Sequence, residues 1–240
     1  MNKEKLLYEN SKHALQSDNI IAITNRHLCS RPFMEQLERV CKLHPHAIVL
    51  REKDMPEAEY LSLARDVIAL CKKYDVQCML HSFINVAMEL EHPYIHLPLP
   101  ILEAYVKKNV SGNISTGMSK STDNYQQFFK VIGTSVHSVE DAVKTEQLGD
   151  TYMTAGHIFA TDCKKGLPPR GLDFLKNVCD AVGIPVYAIG GINIASSGDS
   201  TASDAPSTYD AVRDISVPRL ADVMECGAAG GCIMSGMMRV

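Results

Sequence analysis

The chain has 240 residues, 45% of them hydrophobic and 22% charged, with a formal net charge of −4; that suffices for one large core and leaves no basic face for nucleic acid. No stretch approaches the roughly 18 apolar residues of a membrane span, and the polar opening MNKEKLLYENSKHALQSDN is no secretory signal, so a cytoplasmic protein is expected. There its eight cysteines stay reduced; none forms a C-x-x-C pair, and Cys41, Cys71 and Cys179, on apolar helix faces, read as small hydrophobes.

In chain order, residues 1–18, with Leu6, Leu7, Ala14 and Leu15, predict an N-terminal helical extension. Short aliphatic runs then recur: NIIAIT (19–24), AIVLR (47–51), QCMLH (77–81), YIHL (94–97), KVIGTSV (130–136), TYMTAG (151–156), PVYAIGG (185–191) and GGCIMSG (230–236). Most are apolar on consecutive positions, as strands buried on both faces are. Helical patterns separate them: Leu61, Ala64, Val67, Ile68 and Cys71 share one face, and Leu172, Leu175, Val178 and Val182 another. Ser138 with Asp141 marks the start of a helix running through Leu148. Strand alternating with helix predicts an α/β chain folded as a (β/α)8 TIM barrel, a single domain over residues 1–240, since open doubly wound sheets usually stop at about five or six strands.

Two polar stretches, 109–127 and 194–216, are rich in Ser, Thr, Gly and Asp and predict loops or insertions; the second is either a lid over the site or a surface excursion. Only MMRV follows Ser235-Gly236, too little for a full last helix. The apolar surface of strand eight then needs the opening segment or a second subunit of a homo-oligomer to cover it.

Barrel chemistry sits at the C-terminal ends of strands. The residues there are Thr24 and Asn25, Arg51 to Lys53, His81 and Ser82, His96, His137, the run from His157 to Lys165, Gly190 and Gly191, and Ser235 and Gly236. Gly190-Gly191 and Ser235-Gly236 close the last two strands, where barrels commonly bind phosphate, and leave main-chain N–H groups that an anion can approach. Arg51, Lys53, Lys164 and Lys165 add cations at the same rim.

These residues carry a resemblance. VLREKD (49–54), GTSVHSVEDAV (133–143), GHIFATDCKKGLPPRGLDFL (156–175), IPVYAIGGI (184–192) and GAAGGCIMSGM (227–237) resemble, in order, the thiamine phosphate synthase superfamily. The GHIFATDCKKG block is most similar to its TenI-type thiazole tautomerase branch. The resemblance implies a barrel, thiamine biosynthesis and a phosphorylated thiazole or thiamine phosphate as ligand. In the synthase branch, Mg2+ is held by carboxylates after strands three and four; this chain has His81-Ser82 and HLPLPIL there, so neither metal nor other cofactor is expected unless the synthase activity holds. In the tautomerase branch His137 is the proton carrier, with Lys164 facing the ligand's charge. Arg51, Lys53, Thr161, Cys163, Gly190, Gly191, Ser235 and Gly236 would then bind the substrate and its phosphate, and His81, His96 and His157 are candidate pocket residues. Three alternatives stay open: a synthase, supported by Arg51 and Lys53; a non-catalytic binder of the same ligand; and a barrel aldolase or isomerase using Lys164 as a Schiff base.

Overall fold

The structure, a computed structural model, describes residues 19–112, 128–161, 164, 166–194 and 217–240. Eight parallel strands close into a barrel in sequence order. They are β1 (Ile20–Ile23), β2 (Ala47–Leu50), β3 (Gln77–His81), β4 (Tyr94–Pro98), β5 (Val131–Val136), β6 (Tyr152–Gly156), β7 (Val186–Ile189) and β8 (Gly230–Ile233). Helices α1 (Phe33–Lys42), α2 (Glu57–Lys73), α3 (Ile84–Glu89), α4 (Leu99–Gly112), α5 (Val139–Gln147), α6 (Gly171–Ala181) and α7 (Leu220–Glu225) follow strands one to seven. The fold is the expected (β/α)8 barrel, with no helix after β8 among the described residues. No described helix is long and apolar enough to cross a membrane.

The near-continuous apolar strands have a simple cause: alternate residues serve two different cores. Ile21, Ile23, Val49, Met79, Tyr152 and Tyr187 pack among themselves with no helical partner and fill the barrel. Their neighbours Ala22, Ile48, Leu50, Leu80, Met153 and Ala188 pack outward against Leu37, Val40, Ala64, Val67, Leu175 and Val178 of the helices. The interior mixes large and absent side chains. A Cβ on Gly133 would stand 2.1 Å from Cε1 of Tyr152, so the phenol ring crosses the barrel in the room that Gly133 leaves on the adjacent strand.

Local signals fix the helix ends. The Ser138 Oγ accepts from the Asp141 N–H at 3.0 Å, giving α5 its N-cap. Helix α2 begins after Pro56 with Glu57 and Glu59 and ends with Lys72 and Lys73, complementing its dipole at both ends.

Three findings refine the sequence reading. Helix α4 continues to Gly112, so residues 109–112 of the expected polar loop are helical; Leu102, fully buried, with Ile101, Tyr105 and Val106 packed on the core, anchors it. Residues 1–18, 113–127 and 195–216 lie outside the described residues. After β8 the tail forms a turn over 235–239 that buries Met237 and Met238 in the outer core. Gln36 of α1 donates to the Met237 carbonyl at 2.7 Å, and Arg31 donates to the Val240 carbonyl. At the opposite, N-terminal end a cavity of about 870 Å³ opens among residues including Ala47, Gln77, Tyr94, Val131 and Tyr187.

Candidate active site

The strand ends that carry the expected site residues form one rim. Its β1–β2 corner is built on Glu52, which is 2% exposed. That carboxylate accepts from the Thr24 hydroxyl at 2.7 Å, from the Arg26 N–H at 3.2 Å and from Arg26 Nη1 at 3.0 Å. The Arg51 N–H donates to the Thr24 Oγ1 at 2.8 Å, locking the end of β2. Asp54 takes the rest of the Arg26 fork and His27 Nε2 at 2.9 Å. Both carboxylates of the corner are thus spent on Arg26 and its neighbours, and neither pairs with Arg51 or Lys53. Desolvation, and then Arg51, lowers the Lys53 ammonium from its ordinary value, which puts the two cations within electrostatic reach.

His81 and His96 stack at 5.7 Å between ring centroids on β3 and β4. Burial first, then His96, Arg51 and Lys53, pushes His81 down to about 2; burial and then Arg51 pushes His96 down to about 3. Both are neutral imidazoles at physiological pH and poor proton carriers. The His81 Nδ1 and the Ser82 Oγ are 2.8 Å apart. His96 belongs to a chain of polar side chains running across the barrel. Its Nδ1 is 2.8 Å from the Tyr152 Oη, its Nε2 is 2.9 Å from the Ser135 Oγ, and Ser135 lies 3.0 Å from the Thr154 Oγ1. Burial raises Tyr152 well above the ordinary phenol range, so it keeps its proton. Its hydroxyl has no other partner among the described residues, so it donates to Nδ1, and His96 Nε2–H then donates to Ser135.

His137, at the end of β5, is exposed. Its Nδ1 lies 3.0 Å from the Gly156 carbonyl oxygen. A carbonyl only accepts, so Nδ1 carries the proton and Nε2 presents a lone pair in the neutral ring. His157 is buried, with its Nε2 unpartnered among the described residues. Thr161 and Lys164 are half-buried in the loop after β6, where the Lys164 N–H closes a turn onto the Thr161 carbonyl at 3.1 Å. Cys163 and Lys165 lie outside the described residues.

The ends of β7 and β8 meet through Asn193, whose Oδ1 accepts from the Ser235 hydroxyl at 3.1 Å. Gly190 and Gly191 have φ of +104° and +70°, which ends β7 and needs glycine. The space that their side chains would take is filled from the neighbouring loop. A Cβ on Gly190 would come within 2.7 Å of the His157 Cβ, and one on Gly191 within 2.6 Å of Phe159 Cβ and the Ala160 carbonyl. The glycines let the loop after β6 pack onto β7. The N–H groups of Gly191, Ser235 and Gly236 nonetheless have no partner among the described residues. Arg219 was not singled out from the sequence, because it follows a long polar stretch and stands 28 positions from its contact. Its Nη1 donates to the Gly191 carbonyl at 2.8 Å.

The structure thus gathers Arg51 and Lys53 near His81 and His96, and joins His137 to the end of β6. Ser135, Tyr152 and Thr154 were missed because each stands inside an apolar run, where polarity reads as tolerance rather than as a network.

Comparison with known proteins bears on the fold and the family. The profile of the family described as thiamine monophosphate synthase matches residues 20–208. An Aquifex aeolicus protein provisionally named thiamine-phosphate synthase 2 is 33% identical over 74% of this chain and 87% of its own length. The thiamine-phosphate synthase of Pyrococcus furiosus is 28% identical over 72% of this chain and 75% of its own. Among solved structures, thiamine phosphate pyrophosphorylase from P. furiosus superposes with a TM-score of 0.64 at 23% identity, covering 94% of this chain and 89% of that one. FabK from Thermotoga maritima reaches 0.51 at 13% identity, covering 93% of this chain and 60% of that one, a likeness of fold alone.

Proposed function

Since the chain belongs to the thiamine monophosphate synthase family, we propose that it acts in thiamine biosynthesis as a thiazole tautomerase, aromatising a carboxylated thiazole phosphate by proton transfer through His137. The observation that carries this reading is the bond from His137 Nδ1 to the Gly156 carbonyl, which leaves Nε2 as a base at the mouth. Nε2 takes a proton from a ring carbon, the freed electron pair enters the ring system, and the imidazolium returns the proton to another atom of the same molecule. Nothing is gained or lost overall. The Gly156 carbonyl fixes the ring's orientation and stabilises Nδ1–H throughout the cycle. Arg51, Lys53 and Lys164 face the carboxylate and phosphate charges, and the unpaired N–H groups of Gly191, Ser235 and Gly236 hold the phosphate.

A synthase would need Mg2+, a hard cation that takes carboxylate oxygen. At the ends of β3 and β4 stand His81, Ser82, Pro98 and Leu99, while Glu52 and Asp54 are held by Arg26, Thr24 and His27. The described residues at these strand ends therefore do not fit the ion. The synthase remains the second reading because Arg51 and Lys53 pair with no carboxylate among the described residues and the relatives carry that name. The deciding experiment incubates the purified protein with the carboxythiazole phosphate in one arm and with hydroxymethylpyrimidine diphosphate plus thiazole phosphate in the other. Aromatisation unaffected by EDTA is expected in the first arm and no product in the second. Mg2+-dependent thiamine phosphate formation would replace this reading with the synthase.

A further inference from the structure

We propose that Arg219 is the side chain that reads the ligand's phosphate group, making the site selective for a phosphate ester over the corresponding alcohol; this rests on the phosphorylated-ligand reading above. Arg219 stands in the turn that opens α7. Two contacts hold its head. Nη1 donates to the Gly191 carbonyl at 2.8 Å, and the guanidinium carbon lies 4.5 Å from the centroid of the Phe159 ring. Phe159 is itself pressed onto Gly191, where a Cβ would come within 2.6 Å of its own. The guanidinium is thus tied to β7 and to the loop after β6 together, and it pairs with no carboxylate among the described residues.

A guanidinium has five N–H donors in a planar fork. Only one has a described hydrogen-bond partner, so among the described residues donors and an unpaired charge remain at the end of β7, which Asn193 joins to Ser235 and where the N–H groups of Gly191, Ser235 and Gly236 lack a described partner. That combination suits a dianionic phosphate monoester, which accepts bidentate Arg bonds and main-chain bonds at once.

The test compares wild type, Arg219→Gln and Arg219→Lys by calorimetry with thiazole phosphate and with the dephosphorylated thiazole alcohol, and by phosphorus NMR with inorganic phosphate. Arg219→Gln should bind the ester and inorganic phosphate on the order of tenfold more weakly and the alcohol unchanged. Arg219→Lys should recover only part of the loss, because an ammonium lacks the fork. The salt dependence of ester binding should flatten in the Gln variant. Unchanged phosphate and ester affinity in Arg219→Gln, equal loss for ester and alcohol, or a wild type that binds neither phosphate nor ester would overturn the proposal. A wild type that binds inorganic phosphate through Arg219 but ignores the thiazole ester would leave Arg219 in place and overturn the thiazole reading instead.

Discussion

His137 and Asp150 show how immediate surroundings, a single carbonyl in one case and burial in the other, decide what an ionisable side chain does. Because the Gly156 carbonyl holds Nδ1–H, replacing His137 with asparagine preserves bulk and a donor while removing the lone pair at Nε2. The tautomerisation rate should fall by roughly 100 to 10,000-fold with ligand affinity nearly intact, measured by single-turnover kinetics beside equilibrium binding. A collapse of affinity with the rate per bound ligand preserved would make His137 structural. Its replacement could not be His81 or His96, which are desolvated and neutral. Asp150, just before β6, is 5% exposed and both its oxygens lack a partner among the described residues. Burial pushes it up to about 7, with the Thr134 hydroxyl opposing. Unfolded, an aspartate titrates near 3.9. Between about 4 and about 7 the folded state therefore binds more protons than the unfolded one, and stability falls as pH rises through that window. Asp150→Asn should match wild type near pH 4 and be more stable at pH 8 by on the order of 2 to 4 kcal/mol, read from urea unfolding at the two pH values. A gap that does not change with pH would mean the carboxyl is solvated.

At the scale of elements, the pairing of β5 with β6 depends on an absent side chain. Gly133→Ala would put a methyl 2.1 Å from the Tyr152 ring, and moving that ring also breaks the phenol's bond to His96. The variant should lose at least roughly 3 kcal/mol in denaturant unfolding; wild-type stability would show that the barrel interior has slack. The strands themselves were legible because a parallel barrel buries both faces of each, and runs such as AIVL and QCMLH admit few other readings. The Ser138 cap was legible too, since donor and acceptor are three positions apart. The site was only half legible. Residues that follow a strand directly, such as Arg51, His81 and His137, are placed by counting along the chain. Arg219 and Asn193 reach their partners across connections whose length says nothing of where they end, and the Tyr152–His96 contact spans 56 positions. At Gly190-Gly191 sequence shows that a side chain is missing, and only packing shows what takes its place.

For the molecule as a whole, the tyrosine that crosses the barrel makes the protein its own optical gauge. The chain has nine tyrosines and no tryptophan, so near-ultraviolet absorbance reports tyrosine alone among its indole and phenol groups. Tyr152 and Tyr60 are both raised far above the ordinary phenol range by burial, and burial raises Tyr187 as well. An alkaline titration followed at 295 nm should accordingly run in two stages. Accessible phenols ionise first and reversibly near pH 10. Tyr152 and Tyr60 hold their protons until the barrel opens, so their phenolate signal should rise together with the loss of far-ultraviolet circular dichroism. The folded state binds more protons than the unfolded one in that range, so each step up in pH weakens it until the two signals move as one. One smooth phenol titration with unchanged circular dichroism would show that water reaches the inside of the barrel. A two-stage curve would give a label-free readout of whether a variant at the rim has loosened the staves beneath it.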